Sequence, residues 1–169
     1  TTIAAAVGAS AAMISRWIVD GRPDAAITIN GALAGLVSIT AGPDVVTPLS
    51  ALAIGMIGGL VATLGQILLE KVRIDDVVGA IPVHLFAGIW GTLAVGLFHR
   101  DGFDSLVLST QAIGTLSTCL TAFAMSFIVF KLVDLTIGLR AVDEDQEDGL
   151  DFSEHAANAY PDFMTSDQS

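Results

Sequence analysis

The stretch Val77–Phe98, VVGAIPVHLFAGIWGTLAVGLF, decides the architecture. It holds no Asp, Glu, Lys or Arg, and its one ionisable side chain, His84, stands well inside it. A helix crossing the hydrocarbon core of a bilayer needs about 20 consecutive apolar residues, and this stretch meets that demand. Soluble proteins rarely keep a buried helix uncharged for so long. Four further stretches repeat the pattern: Thr1–Ser15, Ala25–Gly42, Val45–Leu69 and Leu106–Phe130. The predicted fold class is an all-α membrane protein with five transmembrane helices.

Composition points the same way. The 169 residues are 53% hydrophobic and 15% charged, whereas an ordinary soluble domain carries about 25% charged residues. Such hydrophobicity also excludes a disordered chain. The net charge of −11 is local in origin. Residues 1–140 carry all seven basic and nine acidic side chains, −2, and residues 141–169 carry nine acidic side chains alone, −9. No basic patch exists to neutralise phosphates, which excludes nucleic acid as a partner. Cys119 is the sole cysteine, so an intrachain disulfide or a cysteine metal cluster is impossible. The chain opens on Thr1 without a basic n-region, so no secretory signal is read there. Residue 1 reads as a break within a longer chain, with Thr1–Ser15 a span cut short.

The loops set the topology. Arg16, Arg22, Lys71, Arg73, Lys131 and Arg140 fall on one side of the five segments, and Arg100 alone falls on the other. Basic loops stay cytoplasmic, which puts the acidic C-terminal tail in the cytoplasm and the protein in the cell (inner or plasma) membrane. Two regions follow, a bundle over residues 1–138 and a tail over 139–169. Gly31, Ala32, Ala34 and Gly35, with Gly55, Gly58 and Gly59, supply the small residues that let helices approach closely in lipid.

His84 is the leading candidate for chemistry, because titratable groups deep in a span tend to line cavities or proton relays. The alternative is a neutral imidazole bonded to a neighbouring helix. Pro82 removes an amide donor two residues earlier and is positioned to kink the helix there. Asp75 and Asp76 precede the same helix, where carboxylates are favoured by unpaired amides and the helix dipole; a capping role is preferred to contact with cargo. Asp134 and Lys131 are spaced for an ion pair. No nucleophile–base set, zinc motif or phosphate loop occurs, so no enzyme, cofactor or metal is expected; the spacing of Asp75, Asp76 and His84 does not share one helix face. In the tail, the run Asp143–Asp148 reads as solvated chain. Leu150, Phe152 and Tyr160 give its continuation something to dock with, and the cytoplasmic bases Arg16, Arg22, Lys71 and Arg73 are electrostatically suited to receive it.

Taken together these residues resemble the C-terminal half of an ammonium transporter of the Amt/Mep/Rh family, over roughly residues 1–160. The matching stretches are Asn30–Val37 with Ile39-Thr40, Arg73–Asp76, Val83-His84, Gly88–Phe98, Gly138-Leu139-Arg140, and Gly149-Leu150-Asp151 with His155 and Tyr160. The resemblance implies the last five helices of an eleven-helix fold of two inverted halves, assembled as a homotrimer with a pore in each subunit. It implies that His84 is the second of two paired pore histidines and that Asp76 is a structural acid. Gly138, Arg140, Gly149, Leu150, Asp151, His155 and Tyr160 would belong to a regulatory tail that contacts a neighbouring subunit and couples to a P-II-type signal protein. Two positions depart from the family pattern: Leu85 and Ala156 stand where glycine is usual.

The implied function is transport of ammonium or ammonia. A bare ion of that size entering a low-dielectric medium costs on the order of 20 kcal/mol by an idealised Born estimate. Deprotonation at the mouth, with ammonia and a proton crossing separately, avoids most of that cost, and histidine suits the relay because small environmental changes move its charge state. The alternative is a membrane-bound ammonium sensor that signals through the tail.

Overall fold

The computed structural model describes residues 1–157. It forms two compact units, Thr1–Cys119 and Leu120–Ser169, and the described residues are helical apart from their connections. The first unit contains α1 (Thr2–Asp20), α2 (Ala25–Ile39), α3 (Pro48–Lys71), a π-helical turn (Ile81–Phe86) continuing into α4 (Ala87–Leu97), and the start of α5 (Ser105–Thr136). α1, α3 and α5 are long and apolar enough to cross a membrane, whereas α2 and Ile81–Leu97 are shorter apolar helices.

Local chemistry explains where the helices begin. The Asp24 carboxylate accepts the Ile27 amide at 2.8 Å, and the Thr47 hydroxyl accepts the Ser50 amide at 3.1 Å ahead of Pro48. The Asp104 carboxylate accepts the amides of Leu106 and Val107 at 2.9 and 3.0 Å. Each satisfies donors that a helix N-terminus leaves unpaired. Proline at the first turn of α3 needs no donor there.

α3 ends less favourably. The Ile74 amide bonds to the Leu69 carbonyl and the Arg73 amide to that of Glu70, with Arg73 at φ +60°. This is a Schellman closure with arginine in the left-handed position that glycine occupies at least cost. Arg73→Gly is expected to raise stability by roughly 1 kcal/mol, read as a higher midpoint of thermal unfolding in detergent.

Packing in the first unit rests on small side chains. Ala4, Gly8 and Ala12 are buried along α1, Gly31 and Gly35 along α2, and Gly55, Gly58 and Gly59 along α3. A side chain added at Gly35 or Gly55 would run into the backbone of Ala4, and one at Gly59 into that of Gly8. α1 is therefore wedged against both neighbours at backbone contact. Larger residues fill the gaps: Ile39 and Ile54 form one cluster with Ala4, Ala51 and Ala94, against which Trp90 and Phe98 pack. The Trp90 indole also donates to the Ile54 carbonyl at 3.0 Å, tying α4 to α3.

The loops segregate to two ends. At one, the Arg100 amide donates to the Val45 carbonyl at 2.8 Å and Val46 pairs with His99, joining the α2–α3 and α4–α5 connections. At the other, Arg16 lies 2.5 Å from Asp20 and 4.0 Å from Glu70. Arg16 thus belongs to α1, which runs past the predicted Ser15 to Asp20. α5 likewise extends beyond its predicted limits and buries none of its residues.

In the second unit Lys131 and Asp134 pair at 2.9 Å near the end of α5. The acidic run that reads as solvated chain is largely exposed and forms a short helix, α6 (Asp143–Asp148), followed by α7 (Leu150–His155). Three acidic side chains in the first turn of α6 sit where the helix dipole favours them.

Candidate functional site

The predicted continuous helix from Val77 is the main correction. Residues 77–80 form a turn, and the helix starts at Ile81. Asp76 brings this about: its two carboxylate oxygens accept the amides of Ala80 and Ile81, each at 2.8 Å. The intervening Gly79 sits at φ +72°, a conformation open to glycine at little cost. Asp75, its neighbour, is exposed. Removing both acceptor oxygens by Asp76→Ala is expected to cost about 2 kcal/mol, the upper end of a lost N-cap, with Asp75→Ala nearly neutral; thermal unfolding of the two variants side by side checks the difference.

From Ile81 the backbone winds as a π turn. The Ala87 amide reaches back to the Pro82 carbonyl as well as to that of His84. Pro82 lies in the first turn of this helix, where its missing amide is not needed. Pro82 and Val83 are buried, and the face of Gly65 on α3 lies against Pro82 and Phe86.

His84 lies in the middle of this turn and is exposed, as is Leu85 beside it. Among the described residues no group hydrogen-bonds to the imidazole. The structure therefore does not bring Asp75, Asp76 and His84 together, and the described residues contain no cluster able to hold a metal ion.

Two residues to which the sequence reading assigns no role of their own reach the same segment from α2. The Asn30 side-chain amide donates to the Val78 carbonyl at 2.9 Å, and the buried Ser38 hydroxyl donates to the Ala87 carbonyl at 3.3 Å. Both bonds span the sequence from one hydrophobic stretch to another, and a single sequence carries no signal of such pairings.

With that geometry the relatives can be judged. A sequence profile of the Ammonium Transporter Family matches residues 1–160. The chain belongs to the ammonium transporter family. It is 42% identical to the ammonium transporter Amt2 of Archaeoglobus fulgidus, over 97% of this chain and 38% of that protein. A putative ammonium transporter of Synechocystis is 44% identical over 92% of this chain and 35% of its own length. The chain thus spans little more than a third of these relatives. Among solved structures, one titled Sensor Amt Protein superposes with a TM-score of 0.83 at 34% identity, covering 92% of this chain and 40% of that one. Candida albicans Mep2 shares the fold, with a TM-score of 0.76 at 22% identity. The relatives are named as transporters, and an enzymatic reading has no support among them.

The tail residues of this ammonium transporter family chain lie in the second unit. Gly138 follows α5 at φ +80°, its amide bonded to the Val133 carbonyl. Arg140 donates to the Gln146 side chain at 3.4 Å, and Gln146 donates to the Ala141 carbonyl at 2.7 Å. Gly149 separates α6 from α7, which contains Leu150, Asp151 and His155. Ala156 adopts φ +50°, a left-handed conformation that glycine would take at lower cost. Tyr160 lies outside the described residues.

Proposed function

We propose that this chain forms the C-terminal half of a subunit that conducts ammonium or ammonia through the cell membrane. The observation that carries the reading is His84, held on a π turn and left exposed without a hydrogen-bond partner in an otherwise apolar helix. An imidazole in that setting is free to bond to a partner across a pore and to pass a proton along it. The five apolar helices then cross the bilayer with the acidic tail in the cytoplasm. Closing the pore requires the other half of the subunit, and three subunits form the assembly. The tail from Gly138 through Arg140, Gly149, Leu150, Asp151, His155 and Tyr160 regulates conduction and docks a P-II-type protein. Asp76 serves the pore indirectly, by capping the helix.

The test is ammonium flux through proteoliposomes containing the complete subunit. Flux driven by an ammonium gradient and lost on His84→Ala supports conduction through this histidine; wild-type flux in the variant overturns the relay. One observation favours a second reading, the likeness to the structure titled Sensor Amt Protein. A sensor binds ammonium and changes its tail without gradient-driven flux, so the same assay separates the two.

A further inference from the structure

The two bonds from α2 have a common consequence. Asn30 and Ser38 lie about two helical turns apart on α2, and they grip the backbone on either side of the π turn, at Val78 and at Ala87. Val78 precedes the helix and Ala87 follows the π turn, which carries one residue more than an α turn.

The direction of His84 depends on that added residue. Successive side chains on an α-helix are rotated by about 100°, so relaxing the π turn into α-helix swings the residues on one side by about that angle relative to the rest. The imidazole would leave the face it now occupies. Asp76 fixes only the start of the turn, through Ala80 and Ile81. The far end needs a second restraint, and Ser38 provides one where Gly91 brings α4 against the Ser38 backbone. At the near end Gly79 lies against Asn30, where an added side chain would come within 2.6 Å of the Asn30 amide nitrogen.

We infer that Asn30 and Ser38 are positioning residues which lock the π turn and so aim His84 into the pore. This rests on the conducting role proposed for His84. Neither residue touches cargo, so their loss acts on the conduction step and leaves initial binding of ammonium alone.

The experiment measures concentration-dependent ammonium flux in proteoliposomes of the complete subunit for Asn30→Leu, Ser38→Ala, the double variant and His84→Ala. Rates are normalised to correctly assembled protein. The double variant is expected to lose about tenfold in maximal rate with its half-saturating concentration within twofold of wild type, each single variant losing less. An unchanged maximal rate in the double variant, or a raised half-saturation at full maximal rate, overturns the inference. If Asn30→Leu does not assemble, Ser38→Ala decides alone: a loss of threefold or more in maximal rate supports the lock, and a smaller loss overturns it. His84→Ala keeps the two claims apart. Flux lost there but retained in the α2 variants removes only the lock, whereas flux retained in His84→Ala removes the role on which it rests.

Discussion

Replacing His84 by alanine in the complete subunit is expected to lower ammonium flux by about 100-fold or more, the low end of what a positioned proton-transfer group contributes. Its thermal stability should fall by no more than about 1 kcal/mol, the worth of the one hydrogen bond proposed across the pore. The two halves of this expectation come from the same geometry. His84 is exposed and makes no hydrogen bond among the described residues, while the turn around it is held by Asp76, Asn30 and Ser38. Within the described residues the imidazole is carried by the fold and contributes no hydrogen bond to holding it. A histidine that merely packs gives the opposite result, a lower unfolding midpoint with flux falling only as far as folded protein is lost. Measuring flux and unfolding on the same preparation separates these cases. Flux within twofold of wild type would leave the pore without its proposed relay.

The same residue shows how far the sequence could be read. Charge-free stretches located the apolar helices because expelling charge from a bilayer is a one-dimensional constraint. The pairing of loops followed too: Val45 and Arg100 meet at one end of the bundle, Arg16 and Glu70 at the other. Helix ends were less legible. α1 continues through Arg16 because the arginine finds Asp20 one turn later, and charge alone marks no boundary when it is paired along the helix. The capping role preferred for Asp76 was readable from its place before the helix, but its reach to Ala80 and Ile81 was not, since it depends on the left-handed Gly79. A kink was foreseeable at Pro82, whereas a π turn was not. That choice is made by the tertiary bonds from Asn30 and Ser38, which no local pattern encodes. In the tail the run of acids is largely exposed, as a solvated run should be, while the helix it forms was not legible: Gln146 bridges Arg140 and the Ala141 carbonyl.

Gly35→Ala is expected to destabilise the bundle, and Gly35→Val to prevent its assembly. In the interior of an exposed helix a glycine-to-alanine change gains about 1 kcal/mol, so the informative quantity is the sign. At Gly88 of α4 the added methyl meets only the Val37 side chain at 3.7 Å, an ordinary contact, and Gly88→Ala should be neutral or stabilising. At Gly35 the methyl meets the backbone of α1, with the Ala4 carbonyl carbon at 2.9 Å and the Ala5 Cα at 3.2 Å. Backbone cannot swing aside as a flexible side chain can, so α1 and α2 must separate. Overpacking a tight core costs about 1–3 kcal/mol, and the bulkier valine lies at or beyond that upper figure. Separation is costly in lipid in particular. Acyl chains are as apolar as leucine, so close packing rather than exclusion from water holds the helices together, and a widened crossing has nothing to replace the contacts it gives up. α1 touches α3 through the same residue, because the Ala4 backbone also faces Gly55; a shift away from Gly35 therefore drives Ala4 towards a second helix that has no room for it. Gly35→Val should give little assembled protein on size-exclusion in detergent, and Gly35→Ala a lower unfolding midpoint than Gly88→Ala. Equal midpoints for the two alanine variants would mean that α1 and α2 do not cross at backbone contact.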